Sequence, residues 1–438
     1  MKFASTRNSK NVVGFKEAVL NCMPEDGGLY VPTQTDDLRR WLYFMDKNTS
    51  FQSIAGTLTS AFINTEYSPA VCETIAARAY DYEPKLRKLD KNLYVLELFH
   101  GPTGSIKDFG LTYLTACLET ILQYENKTAV FLDATSGELG ACMAKALRGK
   151  KRIKSVLLAP EGKFRGIEQS DMVWNGGNIY PIEVKGSEAD CHSLIRKIFS
   201  DRQLVDSLGL TVANTSNIGR LLPQTFFYTY AFSRLKGFVN SDIFYAMPAE
   251  NYGNVVAGLT AWKLALPVNG FIVPATSNLT LDLQGNCLVL DSMVPVEKRE
   301  SADPADPCNL ERLEAFFKDY SVMLKSFVFP ARIGKEDTEN ACKELFVKYN
   351  YLADEKTCEA YAASKLRTDI VEADDGCIVL FARDDPSLSA AYIKHTTGEE
   401  PLMSAKVSAA LEKTIMSRPL IAAEDTGSVK TILKSLFC

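Results

Sequence analysis

From about residue 90 onward, short apolar runs alternate with stretches of helical period, and turns rich in glycine or hydroxyl residues divide them. Tyr94 to Phe99 alternates as a half-buried strand would, and Gly101-Pro102 breaks it. Thr128 to Asp133, Ser155 to Ala159, Ile179 to Val184, Asp242 to Met247 and Gly270 to Val273 read as further strands. Helices fall between them, one running through Ala144 to Leu147 and another from Val255 to Leu264. Such alternation predicts an α/β fold of parallel sheets with helices on both faces, and its sites sit at the carboxyl ends of strands. Residues 1–85 look mainly helical, with the Asp26-Gly27-Gly28 turn leading into a short strand, and form a candidate N-terminal domain. Residues 90–310 form the expected core, of which 285–310, rich in Pro, Asp and Ser, reads as a connecting loop. Residues 311–438 mix helices with one apolar strand, Cys377 to Phe381, and complete that core.

Composition narrows the function classes. The 438 residues are 46% hydrophobic and 24% charged, ordinary for a folded chain with ample core. With 49 basic against 54 acidic residues, the net charge of −5 leaves no electrostatic footprint for nucleic acid or an anionic membrane. No apolar run is long enough to span a bilayer, and Met1 to Arg7 is too soon polar for a signal peptide. The eleven cysteines include no Cys-x-x-Cys pair and read as reduced thiols of a cytoplasmic protein. His100, His192 and His395 lie in unrelated segments, which argues against a His-based metal site or a Ser-His-Asp triad; no metal is expected.

Four turns carry candidate chemistry. Ser105 followed by Asp108 reads as a capping-box-like helix start, which puts Lys107 in the first helical turn. The positive end of the helix dipole disfavours a cation there and eases access to a neutral, nucleophilic amine. On spacing alone, a solvated lysine is the commoner case. Pro248-Ala249-Glu250-Asn251-Tyr252-Gly253-Asn254 joins a strand to a helix and could cradle a phosphate, or be a plain connection. Thr135-Ser136-Gly137-Glu138-Leu139-Gly140 offers hydroxyl and N–H groups, or simply an N-cap. Arg220 could clamp a phosphate in bidentate fashion, or lie on a helix surface.

These segments together resemble the threonine synthase family. Its lysine loop reads roughly Glu-Leu-Phe-His-Gly-Pro-Thr-x-x-Phe-Lys-Asp, against Glu97 to Asp108 here. Ser5-Thr6-Arg7, Phe15 to Val19, Asp26 to Pro32, Thr135 to Gly137, Asn214 to Gln224, Asn251 to Asn254 and Pro307 to Leu313 match in family order over about three quarters of the chain. The resemblance implies a two-subdomain parallel-sheet core of pyridoxal-phosphate (PLP) fold type II, of the tryptophan-synthase-β kind, behind the N-terminal domain. It implies conversion of O-phospho-L-homoserine and water to L-threonine and phosphate, a small-molecule reaction in which Lys107 carries PLP as an imine and then moves protons. By the same token, Asn251, Tyr252, Gly253 and Asn254 grip the cofactor, and Thr135, Ser136, Gly137, Asn217 and Arg220 bind the substrate. His100 is then a turn residue beside the cofactor.

The chain also departs from the family pattern. The family's Pro-Ser-Gly-Asn-Phe-Gly-Asn has Ala249 and Glu250 in place of its serine and first glycine, and Leu139 replaces a threonine. Ser277 to Thr280 and Asp354-Glu355-Lys356 replace further polar motifs, and Arg383 stands where the family has a threonine facing the PLP ring nitrogen. A carboxylate about 4 Å from a phosphate charge costs about 4 kcal/mol at an effective dielectric near 20, so Glu250 is expected to point away. Arg383 is expected to donate to the ring nitrogen and weaken the cofactor as an electron sink. Two alternatives follow, a diverged paralogue acting on another phosphorylated amino or hydroxy acid, and a non-catalytic binding protein. Retained Lys107 and Asp108 argue against the second.

Overall fold

The computed structural model describes residues 1–237, 239, 243–318, 321–373, 376–412 and 419–437. Two sheets organise it. One has five strands, in the spatial order Leu420–Ala422, Ile179–Lys185, Ile153–Pro160, Ala129–Ala134 and Leu210–Thr211, all parallel. The other has six, in the order Val328–Ala331, Gly270–Pro274, Ile243–Ala246, Cys377–Ala382, Leu93–Glu97 and Lys85–Lys88. Only the last of these is antiparallel, a polar edge strand paired with Leu93–Glu97.

The apolar runs thus mark the sheets correctly, and where they differ from the structure the cause is local. Leu93–Glu97 is buried at all five positions rather than at alternate ones, because strands flank it on both sides. The start expected at Asp242 lies outside the described residues; the described strand begins at Ile243. The helix expected at Ala144 starts earlier, as Glu138–Leu147. Val328–Ala331 and Leu420–Ala422, at sheet edges, were not expected; the first contains Pro330, which an edge strand tolerates. The stretch 285–310 is mostly turns but includes Cys287–Val289, paired with Leu279–Leu281. The N-terminal region holds four helices, Phe15–Asn21, Arg39–Phe44, Phe51–Ile63 and Pro69–Ala79, and an antiparallel sheet of Val12–Val13, Lys2–Ser5 and Tyr30–Gln34. Among the described residues no helix is long and apolar enough to cross a membrane.

Aromatic packing joins the N-terminal helices to the helix that begins at Lys107. Phe51 is fully buried, with ring centroids 4.9 Å from Tyr80, 5.4 Å from Phe109 and 6.2 Å from Phe227. The Tyr80 hydroxyl donates to the Phe109 carbonyl at 3.0 Å, so this contact is directional as well as apolar. Each such aromatic pair contributes about 0.5–1.5 kcal/mol beyond its buried area. Phe51→Ala should therefore destabilise the fold by about 3–5 kcal/mol in denaturant unfolding. A loss below about 1 kcal/mol would show that this cluster does not couple the two regions.

Candidate active site

A cavity of about 310 Å³ lies where the carboxyl ends of Ala129–Ala134, Ile243–Ala246 and Cys377–Ala382 approach the start of helix Lys107–Glu125. That volume is at the small end of ligand sites. Lys107, Thr135, Ser136, Arg220, Asn251, Gly253 and Asn254, all singled out in the sequence, line it.

The lysine turn is built differently from a capping box. Buried Asp108 turns back to accept from the Thr103 N–H at 2.8 Å and the Thr103 hydroxyl at 2.9 Å. A Cβ on Gly101 would stand 2.5 Å from the Asp108 carboxylate, so a side chain there would collide with this staple. Ser105 donates instead to Asp384 at 2.6 Å, and its oxygen accepts from the Lys107 N–H at 3.3 Å. The expectation of an easily neutralised amine is also corrected. Burial pulls the Lys107 pKa down, but the carboxylates of Glu138 and Asp384 outweigh it and hold it above its ordinary value. Its Nζ donates to Glu138 Oε2 at 2.8 Å, so the amine rests as a paired ammonium.

The next turn contributes hydroxyls to the cavity but no glycine. The Thr135 hydroxyl accepts from the Gly137 N–H at 2.9 Å. Gly137 has φ +140° and does not line the cavity; it allows the turn that starts helix Glu138–Leu147. Asn217 is fully buried and also stands off the cavity. Its Nδ2 donates to the Val19 carbonyl and the Thr211 hydroxyl, both at 3.0 Å, while its Oδ1 caps the short helix Ile218–Leu221 at Gly219. Asn217 thereby fixes the turn that presents Arg220.

Arg220 is no surface arginine. It is 8% exposed, its Nε has no hydrogen-bond partner, and no carboxylate pairs with it among the described residues. Burial pulls its pKa down. Gln224, one turn on, likewise leaves Oε1 unpartnered, and both side chains line the cavity. Gly110 makes the room: a Cβ there would sit 1.7 Å from Arg220 Nη1. The sequence reading missed Gln224, Asp133, Glu188 and His192, which share only their convergence on the cavity, and Gly110, which lies against Arg220.

The strand-to-helix loop 248–254 has the backbone its glycine-bearing pattern requires. Glu250 has φ +37° and Tyr252 φ +61°, conformations in which a β-carbon costs about 1 kcal/mol. Helix Gly253–Lys263 starts at the cavity; the Gly253 N–H donates to Asn251 Oδ1 at 3.1 Å. Tyr252 points off the cavity, its hydroxyl 2.5 Å from Thr276 Oγ1. Glu250 lines the cavity rather than turning away from it, because its carboxylate forms an ion pair with Arg383.

One buried arginine ties these loops together. Arg312 donates to the carbonyls of Tyr30 at 2.7 Å, Thr215 at 2.6 Å and Ser216 at 2.9 Å, and to Asn309 Oδ1 at 2.6 Å. Asn309 Nδ2 in turn donates to Thr215 Oγ1 at 2.9 Å and to the Asn251 carbonyl at 3.0 Å.

Two mostly parallel sheets, with strand ends converging on a lysine-bearing cavity behind a helical N-terminal region, define an α/β protein of PLP fold type II. A sequence model described as Threonine synthase N terminus matches residues 2–80. Threonine synthase of Buchnera aphidicola subsp. Schizaphis graminum is 32% identical over 363 residues, 82% of this chain and 84% of that protein. Threonine synthase of Serratia marcescens is 27% identical over 437 residues, 100% of both chains. The crystal structure of threonine synthase from Escherichia coli is similar with a TM-score of 0.78 at 24% identity over 99% of each chain. The PLP-bound threonine synthase of Brucella melitensis gives 0.81 at 22% identity over 100% of this chain and 99% of that one. The chain belongs to the threonine synthase family.

The buried carboxyls around the site set a pH dependence. Burial pushes Asp133 and Asp354 up to about 7, the latter helped by Asp384, and Asp108 up to about 6. Each binds its proton more tightly folded than unfolded, so its contribution is present at low pH and lost as pH rises through 6–7. The thermal midpoint of the cofactor-free protein should fall between about pH 5 and about pH 8, and Asp133→Asn should shrink that fall. An unchanged slope in the variant would contradict the assignment to Asp133.

Proposed function

We propose that this chain is a PLP-dependent carbon–oxygen lyase that converts O-phospho-L-homoserine and water to L-threonine and phosphate. The observation that carries this reading is the buried, unpaired Arg220 guanidinium in the same cavity as Lys107. An unpaired buried cation is costly, and a phosphate oxygen is the partner its fork fits. The residues present fit PLP as well, since an amine, an unpartnered acceptor on Gln224 and a helix N-terminus at Gly253 and Asn254 all face one enclosed space.

Asn251, Gly253 and Asn254 would hold the cofactor phosphate, with Tyr252 fixing that loop through Thr276. Bound PLP supplies an electron-withdrawing ring that stabilises negative charge on the substrate carbon skeleton. Thr135 and Ser136 would take the substrate carboxylate, and Arg220 its phosphate; Gly137 and Asn217 serve by positioning those turns. Lys107 would pass its own proton to Glu138, its neighbour at 2.8 Å, whose half-exposed carboxyl can release it to solvent. The free amine would then remove the α proton and, after shedding that one by the same route, the β proton. Phosphate leaves from the γ carbon and water adds at the β carbon. Residues 1–85 buttress the core of 90–310 in this reading, and 311–438 complete it. The reaction is assigned to the cytoplasm, in keeping with the free thiols among the described cysteines.

Borohydride reduction with PLP should place a pyridoxyl group on Lys107, and O-phosphohomoserine should yield threonine and phosphate in equal amounts. Phosphate without threonine would instead identify a diverged lyase, and absence of PLP uptake would end the proposal. Gly110→Ala offers a separate check, because the three atoms nearest its methyl would all belong to the Arg220 guanidinium. It should raise the substrate KM by about tenfold or more while leaving PLP uptake intact. An unaltered KM would remove Arg220 from substrate binding.

A further inference from the structure

Two departures from the family pattern, distant in sequence, meet in space. Glu250 follows strand Ile243–Ala246, and Arg383 follows Cys377–Ala382. These strands are parallel neighbours, with Ala246 beside Leu380, so both residues emerge at the same edge and both line the cavity. Their side chains form an ion pair, with Arg383 9% exposed and Glu250 38%. Arg383 is rigidly mounted. Its N–H donates to Thr357 Oγ1 at 3.3 Å, and its carbonyl accepts from Ile106, the residue before Lys107, at 2.9 Å. Glu250 sits in the left-handed region, a strained conformation for a residue with a β-carbon.

We propose that Glu250 and Arg383 act as one charge-compensating unit in the wall of the cavity, and that their balance sets the affinity for the cofactor's phosphate group. This rests on the assignment of the cavity to PLP. Alone, a carboxylate at position 250 repels a phosphate held by the Asn251 to Asn254 loop. Alone, a guanidinium at position 383 attracts that phosphate. Paired, the two present a near-neutral dipole, so a loop that has lost its glycine still tolerates an anion. The pair therefore explains how two substitutions, each adverse or excessive by itself, stand together in one site.

PLP titrations of the full-length protein, followed by absorbance, distinguish this from a merely structural pair. Glu250→Gln should bind PLP about tenfold more tightly and Arg383→Met about tenfold more weakly. The double variant should return to within about threefold of the unaltered protein, and both single effects should shrink as salt is raised. A structural strap would weaken binding in both single variants alike. Same-sign shifts, or an unchanged Glu250→Gln, overturn the proposal. Should Arg383→Met fail to fold, Glu250→Gln remains decisive, and Arg383→Lys, which keeps the charge, should stay within about threefold. Protection by inorganic phosphate against PLP uptake should follow the same order of variants. Failure of the unaltered protein and of Glu250→Gln to take up PLP at all would instead refute the cofactor assignment, and this proposal with it.

Discussion

The site depends on Arg312 more than on any residue that lines it. A guanidinium has five donors in a fixed plane, and here four acceptors surround it, three from two distant segments and one from nearby Asn309. Tyr30 brings the N-terminal sheet, Thr215 and Ser216 bring the turn leading to Arg220, and Asn309 relays the grip to Asn251. Those acceptors are buried, and each one left unsatisfied costs about 1–3 kcal/mol. Lysine could not replace it, having a point charge where a planar fork is needed. The turn before Arg220 and the 248–254 loop thus have a common anchor, so their separation is fixed by hydrogen bonds rather than by loop flexibility.

Charge balance then divides the cavity's cations into three kinds. Lys107 is paired with the carboxylate of Glu138, which suits the proposed role of a group that alternates between ammonium and amine. Arg383 is paired with Glu250 inside the cavity wall. Arg220 alone is buried without a counterion among the described residues. A fully compensated cavity would have little reason to bind an anion, and one with three free cations would be costly to fold. Leaving one guanidinium uncompensated gives the interior a net attraction for an anion, as the proposed phosphate role of Arg220 requires.

The sheets were legible because parallel strands buried on both faces must be apolar along their length, and Val130, Val156, Ile182 and Val379 lie in such runs. Short edge strands were not, since Val328–Ala331 and Leu420–Ala422 bury too little for a pattern to show. Lys107, Thr135, Ser136, Arg220 and the 251–254 loop were found through their motifs, and all but Tyr252 reach the cavity. Tyr252, Gly137 and Asn217 carried the same motif signal yet stand behind it, because a motif records a turn's whole construction and does not separate contact from support. Partners far apart in sequence left no local trace. Glu138 on Lys107, Gly110 under Arg220 and Glu250 on Arg383 each required the fold to be seen.

That last limit explains why the departures from the family pattern look more damaging in sequence than in space. Read singly, Glu250 places a negative charge and a strained backbone where an anion is to be held, and Arg383 places a cation where a hydroxyl is usual. Parallel pairing of Ile243–Ala246 with Cys377–Ala382 makes them neighbours, and neighbouring opposite charges cancel at a distance faster than either decays alone. The perturbation felt at the 251–254 loop is then that of a dipole whose orientation is fixed by the rigid mounting of Arg383. Leu139, by contrast, has no such partner at its turn: it replaces a hydroxyl by an apolar side chain lining the same cavity. On the proposed assignment, Leu139 is an uncompensated departure at the substrate end of the site, and Glu250 with Arg383 is a compensated one at the cofactor end.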